Sequence, residues 1–327
     1  MTSFSLRYDL RAPAFGKADA RALYAAALEQ AAWADRLGFA AVVLSEHHGS
    51  PDGYLPSPLV MGAAIAARTK TVRISISALI APLHDPVRIA EDLAVLDVIS
   101  GGRLIPVLGG GYVASEFASF GRTLASRAAC MDEIVPFLER AWSGEAFEWQ
   151  GRHVRVTPRP VQRPRPPILM GGSSRAAAER AARLADGFLP TLPQYFDLYR
   201  EARRRLGKPD PGPMPPSLGV NFLHVAEDPE RAWRQIAPHA LHETNSYGQW
   251  IQDAGGGGPY QVVNDADALR ASGAYCVWTP DELIERARAL GPHGSIALHP
   301  LMGGLDPELA WESLSLIESK VLPALRD

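Results

Sequence analysis

The sequence predicts a (β/α)8 barrel carrying insertions. Three observations predict it. Short β-rich runs alternate with helical runs along most of the 327 residues. Eight such strand runs occur in order, which favours a closed barrel over an open sheet. Glycine and polar residues gather just after the strand runs, whereas the runs themselves are apolar. The length suits one barrel of roughly 250 residues plus insertions, so residues 1–327 read as a single domain.

The elements follow in order. Residues 4–8 (FSLRY) form the first strand. Residues 19–37 read as a helix, with Leu23, Ala27, Ala31 and Ala34 on one stripe and Gly38 as the stop. Residues 40–45 (AAVVLS) are a continuous apolar run, as in a strand covered on both faces. Pro58 opens a helix that ends near Arg68, and 72–79 (VRISISAL) is the third strand. Pro86 suits a helix N1 position with Asp85 as its N-cap; that helix runs to about Ile99, before Gly101 and Gly102. The fourth strand is 103–111 (RLIPVLGGG), followed by a longer helix at 123–142. The fifth strand, 166–172 (PPILMGG), leads into a helix at 174–185. Strands six to eight are 185–190, 217–226 and 294–300, and a helix at 306–320 closes the chain.

Three segments fall outside this repeat. Residues 143–165 are rich in Arg and Pro and suggest a small hairpin, and 207–216 are a Pro/Gly linker. Residues 239–273 include the glycines at 255–258 and have weak periodicity, which predicts a lid or mobile insertion.

Composition narrows the function. Hydrophobic residues make up 46% and charged residues 21%, ordinary for a globular enzyme. The net charge of −3 implies no basic face, so nucleic acid is not an expected partner. The only two cysteines, Cys130 and Cys276, fit a reducing cytosol rather than a disulfide scaffold. The first residues do not read as a signal peptide, and no window of 18 apolar residues free of charge suggests a membrane span. A cytoplasmic enzyme acting on a small molecule is expected.

In a barrel of this kind the chemistry sits at the C-terminal ends of the strands. After the second strand stand Glu46, His47 and His48. Neighbours on an extended segment point to opposite sides, so one histidine at most faces the pocket. Such a histidine either works as a general acid or base or is a buried residue bonded to backbone. The spacing is poor for a metal ion, and none is expected. After the fourth strand come Gly109, Gly110, Gly111 and Tyr112, where either a flat ring lies against bare backbone or the chain makes a tight turn. Gly171, Gly172, Ser173 and Ser174 lead into a helix N-terminus. There the free amides and hydroxyls suit a phosphate, and a serine N-cap is the plainer alternative.

Three blocks carry a family resemblance: LGFAAVVLSEHH, SALIAPLHDPVRIAEDLAVLDVISGGRLIPVLGGGY and ILMGGSSRAAAERAARLADGFLP. In order and spacing they resemble the bacterial luciferase-like flavin-dependent oxidoreductases, and Glu116-Phe117 continues the second block. The resemblance implies a luciferase-like barrel holding flavin mononucleotide (FMN), or the deazaflavin coenzyme F-420, at the strand C-ends. The ring would lie against the third and fourth strand exits, at Ser77, Ala78 and Gly109 to Tyr112, and the phosphate at Gly171 to Ser174. His47 matches the family's catalytic histidine, with Glu46 beside it, and Ser77-Ala78 matches a position where a cis peptide is common. Gly110 stands where luciferase itself has an arginine, which counts against an aldehyde light reaction.

Three functions follow as expectations. The first is a monooxygenase using reduced FMN and O2 on a small organic substrate, supplied by a flavin reductase or reduced by NAD(P)H in place. The second is an F-420-dependent dehydrogenase or reductase. The third is a flavin-binding relative without catalysis. The resemblance also implies a homodimer.

Overall fold

The computed structural model describes residues 2–256 and 258–326; Gly257, within the predicted lid, lies outside the described residues. The first half follows the predicted order: β1 (Ser3–Tyr8), α1 (Ala20–Leu37), β2 (Ala41–Leu44), α2 (Pro58–Arg68), β3 (Arg73–Ile80), α3 (Pro86–Ser100) and β4 (Leu104–Gly109). Next come a short α4 (Ala114–Ser119), α5 (Arg127–Ala141) and the hairpin β5 (Phe147–Trp149) to β6 (Arg152–Val154). The second half holds β7 (Leu169–Gly172), α6 (Arg175–Leu184), β8 (Gly187–Pro190), α7 (Gln194–Arg205), β9 (Phe222–Val225) and α8 (Pro229–Asp253). The chain ends with α9 (Ala266–Ala271), β10 (Tyr275–Trp278), α10 (Pro280–Leu290), β11 (Ser295–Leu298), α11 (Pro307–Leu316) and α12 (Leu322–Arg326).

Local chemistry sets the boundaries. Asp19 caps α1 by accepting from the Ala22 amide, and Gly38 ends it in the left-handed region at φ 79°. Asp85 likewise caps α3 before Pro86, and Gly101 closes it at φ 65°. Strand alternation sorts side chains between two environments. Phe4, Leu6 and Tyr8 are buried against the helices, and the Tyr8 hydroxyl reaches Gln30 of α1 at 3.0 Å. Ser5 and Arg7 therefore face the concave side of the sheet.

Seven strands form one curled parallel sheet in the order β11-β1-β2-β3-β4-β7-β8. Leu44 sits opposite Tyr8 and Ile76, and Val107 opposite Ser77 and Leu169, so the C-terminal ends of β1, β2, β3, β4 and β7 share one edge. The predicted closure of eight strands is corrected here. β9 leaves the main sheet to pair with β10, a strand missing from the sequence reading, and among the described residues no ladder joins β8 to β9. Between them lie Pro209, Pro211, Pro213, Pro215 and Pro216, which have no N–H to donate. One bridge, Ser217 to Ser295, is the contact this stretch makes with β11. The fold is a curled half-barrel rather than a fully laced cylinder.

The expected irregular segment at 239–273 is corrected too. Its first part continues α8 as far as Asp253, and α9 follows. Periodicity was weakened by Gly248, which lies hard against the returning backbone: a Cβ there would sit 2.7 Å from atoms of Gln261 and Val262. Among the described residues no helix is long and apolar enough to cross a membrane.

Candidate active site

The exit of β2 splits its side chains as the pleat requires. Ser45 and His47 face the concave side, Glu46 and His48 the other. Glu46 turns away from His47. Its buried carboxylate accepts hydrogen bonds from the Ile80 amide and from His48 Nε2 (2.9 Å) and His84 Nε2 (2.8 Å). Burial alone would raise its pKa, but the bonds from His48 and His84 and the Ile80 amide outweigh it and hold the carboxyl at about 2. Glu46 thus ties the ends of β2 and β3 together.

The carboxylate that does engage His47 belongs to Glu116 on α4. Glu116 Oε1 lies 2.7 Å from His47 Nδ1 and accepts the His48 amide at 2.8 Å. Its other oxygen, Oε2, has no partner among the described residues although it is buried. The contact directs Nδ1 of His47 at Glu116 and leaves Nε2 as the nitrogen that can meet a ligand. Around the imidazole stand Tyr54 (4.8 Å between ring centres), Tyr112 (5.7 Å) and Tyr247 (5.9 Å), all edge-on. Trp250 stacks on it at 4.4 Å.

At the exit of β3 the Ser77-Ala78 peptide is cis, at the position the resemblance implied. Ala78 is the meeting point of three strands. A Cβ on Gly109 would lie 2.8 Å from the Ala78 Cβ, and one on Gly171 would lie 3.8 Å from it. Strand exits β3, β4 and β7 therefore present a floor of bare backbone and one methyl group, and Ser77 and Ala78 remain half-buried. Gly110 leaves room for ordinary contact with Met131. Gly111 is required by its φ of +67° and by Phe117 and Ile80 pressed against it, so the tight turn and the flat surface coexist.

Gly172 packs on the first turn of α6, where a Cβ would fall 2.4 Å from that of Ala177. Ser173 and Ser174 are exposed at the start of this ten-residue helix. The Ser174 hydroxyl accepts from the Ala177 amide at 3.2 Å, so it serves as the N-cap. The helix start still offers unpaired amides to an anion. His47 neighbours Tyr112, Ala78 neighbours Gly109 and Gly171, and Gly172 packs on the start of α6. Glu46, predicted beside His47, faces away from it toward Ile80, His48 and His84.

The exits of β1 and β11 add residues that the sequence reading missed. Asp9 and Arg11 follow β1, and His299 follows β11. Arg11 is fully buried; its Nε meets Asp9 at 3.1 Å and its Nη1 meets Asp52 at 2.7 Å. Asp52 also takes His242 Nε2 at 2.7 Å from α8. Burial would raise the Asp9 carboxyl, yet His299, Arg11 and Arg7 together hold it at about 2. His299 lies between Asp9 (3.4 Å) and Glu243 (3.3 Å), and these two carboxylates raise its pKa against the opposing effect of burial. Donor atoms of Asp9, Glu243 and His299 all lie within 4.8 Å of one another. Arg7 and Arg11 already bring positive charge to those carboxylates, so the cluster reads as a buried ion-pair group.

Helix α8 packs beside His47 and Tyr54 through Tyr247 and Trp250. Tyr247 joins the Tyr54 hydroxyl at 2.7 Å and accepts from Arg7 at 3.0 Å, while Glu243 accepts from Tyr275 at 2.7 Å. Glu243, Tyr247 and Trp250 recur at helical spacing, a stripe the sequence could have revealed.

The chain is similar to several known proteins. The family model for luciferase-like monooxygenases matches residues 10–297. Uncharacterized protein y4vJ of Sinorhizobium fredii is 32% identical over 48% of this chain, and the match covers 46% of that protein, so the chain spans about half of its length. The oxygenase component of a flavin-dependent trigonelline monooxygenase from Acinetobacter baylyi is 26% identical, over 71% of this chain and 67% of the relative. An F420-dependent glucose-6-phosphate dehydrogenase from Nakamurella multipartita is 28% identical over 100% of this chain and 98% of its own. Among solved structures, monooxygenase RslO1 from Streptomyces bottropensis superposes with a TM-score of 0.78 at 27% identity, covering 98% and 99% of the two chains. The oxygenating constituent of 3,6-diketocamphane monooxygenase from Pseudomonas putida, in complex with FMN, shares the fold with a TM-score of 0.72 at 20% identity, over 99% of each chain. With its seven-stranded curled sheet and a family match across most of its length, the chain belongs to the luciferase-like monooxygenases.

Proposed function

We propose that this chain is the oxygenase of a flavin-dependent monooxygenase, acting with reduced FMN and O2 on a small organic substrate. The observation that carries the reading is the floor formed by Ala78, Gly109 and Gly171, bordered by Tyr112 and the His47–Glu116 pair. Bare backbone at Gly109 and Gly171 around the Ala78 methyl would let a flat ring approach closely, so the residues present fit such a coenzyme. Ser77 and Gly110 border the floor, Tyr112 stands at its edge, and the amides at Gly172 to Ser174 would meet the phosphate.

When bound, the coenzyme supplies the redox chemistry. The chain's own part is orientation, exclusion of water and proton management. Glu116 fixes the His47 ring through Nδ1, so Nε2 is the atom that gives or takes a proton. Tyr54, Tyr247 and Trp250 pack around the imidazole and would limit the water that reaches it. Glu46, first paired with His47 on sequence grounds, holds the rim in register instead. Reduced FMN would come from a separate reductase drawing on NAD(P)H. The homodimer is part of the same proposal: Val60 on α2 and Val95, Val98 and Ile99 on α3 expose apolar surface on two packed helices.

A second reading has its own support. Among the relatives compared by sequence, the F420-dependent one is similar over 100% of this chain and 98% of its own. On that reading His47 serves a hydride transfer without oxygen. Fluorescence titration of the purified chain with FMN and with the deazaflavin coenzyme separates the two. FMN binding followed by oxygen uptake with reduced FMN supports the first, deazaflavin binding alone the second, and binding of neither rejects both.

A further inference from the structure

We propose that Ser45 is a coenzyme-binding residue: its hydroxyl, at the end of a hydrogen-bond chain that starts at Arg7, donates to a carbonyl oxygen of the coenzyme ring. The inference rests on the functional reading above. It applies to both coenzymes named there, because flavin and deazaflavin carry the same pyrimidine carbonyls.

The chain is continuous. Arg7 Nη2 lies 3.0 Å from the Tyr247 hydroxyl, which lies 2.7 Å from that of Tyr54, and Tyr54 in turn lies 2.7 Å from Ser45 Oγ. Its charged end sets its direction. A guanidinium can only donate, so Tyr247 accepts from Arg7 and has its one proton for Tyr54. Tyr54 then donates to Ser45. Each O–H dipole points away from the cation, the order that its charge favours. In the reverse order Tyr247 would accept twice and keep its own proton, unpaired, beside Arg7. Ser45 is thus left with a proton and with no acceptor for it among the described residues. At 9% exposure it has little access to bulk water, and a buried donor without a partner is costly.

The sheet register places that hydroxyl beside the floor. Leu44 pairs with Ile76, so Ser45 and Ser77, each one residue further on, stand level on neighbouring strands about 4.8 Å apart. Residues level with each other face the same side of a sheet, here the concave one. Ser77 opens the cis peptide whose Ala78 methyl is the centre of the floor. His47, two residues past Ser45, shares this face. A ring resting on Ala78 would bring its edge toward Ser45, and the acceptors on that edge are the pyrimidine carbonyls. A donor polarised by a cation gains most from an acceptor that carries negative charge. The reduced ring, whose charge spreads into those carbonyls, therefore gains more from Ser45 than the oxidised ring does.

Infrared difference spectroscopy of the purified chain with bound FMN, and with no substrate added, tests this alongside titration. Ser45→Ala should move a coenzyme carbonyl band to higher frequency. It should weaken oxidised FMN by about three- to tenfold, and reduced FMN, titrated without oxygen, by about tenfold or more. Tyr247→Phe keeps the Ser45 hydroxyl but cuts its link to Arg7, so the same band should move part of the way; an unmoved band there overturns the drive from Arg7. Where Ser45→Ala fails to fold, Ser45→Cys, of similar size with a far weaker donor, should move the band likewise. Unchanged bands and affinities in the Ser45 variant overturn the proposal. Weaker binding with unmoved bands also overturns it, since packing alone would account for that. If FMN does not bind, the deazaflavin coenzyme replaces it as the probe. Coenzyme binding without a response at Ser45 defeats this inference only, whereas binding of neither coenzyme defeats the functional reading and this inference with it.

Discussion

Replacing Glu46 with Gln should destabilise the fold far more than it alters chemistry. Glu46 is 2% exposed and accepts from the Ile80 amide, His48 and His84. A carboxyl held at about 2, against its ordinary 4.5, corresponds to about 3 kcal/mol of native-state stabilisation at pH 7, taken as an upper figure. The sign follows from the lowered pKa: this stabilisation is complete above pH 4.5 and is lost as the pH falls toward 2. A glutamine keeps one acceptor oxygen but puts an NH2 where the second stood, so about 2–3 kcal/mol should disappear at pH 7. Urea unfolding at pH 7 and at pH 3.5 measures it. The unaltered chain should lose stability between the two pH values, and Glu46→Gln should start lower and lose less. Unchanged stability together with abolished turnover would refute the tie between β2 and β3 and return Glu46 to a catalytic role.

Other outcomes follow from the same geometry. His47→Ala should cut turnover by about 10²–10⁴ while coenzyme affinity, read by fluorescence, stays close to that of the unaltered chain. Glu116→Gln should lower turnover with little change in KM, because the His47 ring loses the charge that orients it; steady-state kinetics check this. Gly109→Val should weaken coenzyme binding and cost about 1–3 kcal/mol in urea unfolding, since its Cβ would collide with that of Ala78. Burial holds His224 at about 4 against its ordinary 6.5, so stability should fall by up to about 3 kcal/mol as the pH drops from 6.5 to 4. His224→Leu should flatten that slope in unfolding measurements.

Much of the scaffold was legible because its punctuation is local. Asp19, Gly38, Pro58, Asp85 and Gly101 mark helix ends by capping and backbone preference, and the observed bounds fall within a residue or so of them. The principle that strand exits carry the chemistry leads directly to His47, Ala78, Gly109 and Gly171. It applies equally to the exits of β1 and β11, where Asp9, Arg11 and His299 stand in plain sequence. The partner of His47 is different in kind. Glu116 lies 69 positions away and meets the imidazole only because α4 folds back over β2, a fact with no local trace. The pairing of β9 with β10 is likewise tertiary, since 50-odd positions and two helices separate the strands. Counting eight strands cannot say whether the last ladder forms, and the prolines at 209–216 argue that it does not.

The gap between β8 and β9 gives the molecule a cuff-like girth. On the laced side, residue-by-residue pairing from β11 through β8 fixes where each exit stands, so the floor at Ala78 has one width. On the open side, among the described residues, no ladder joins β8 to β9, so a change in width there would break none. Bulk can therefore be added or trimmed opposite the floor at little cost to the remainder of the sheet, so one scaffold can be refitted to cargo of different sizes.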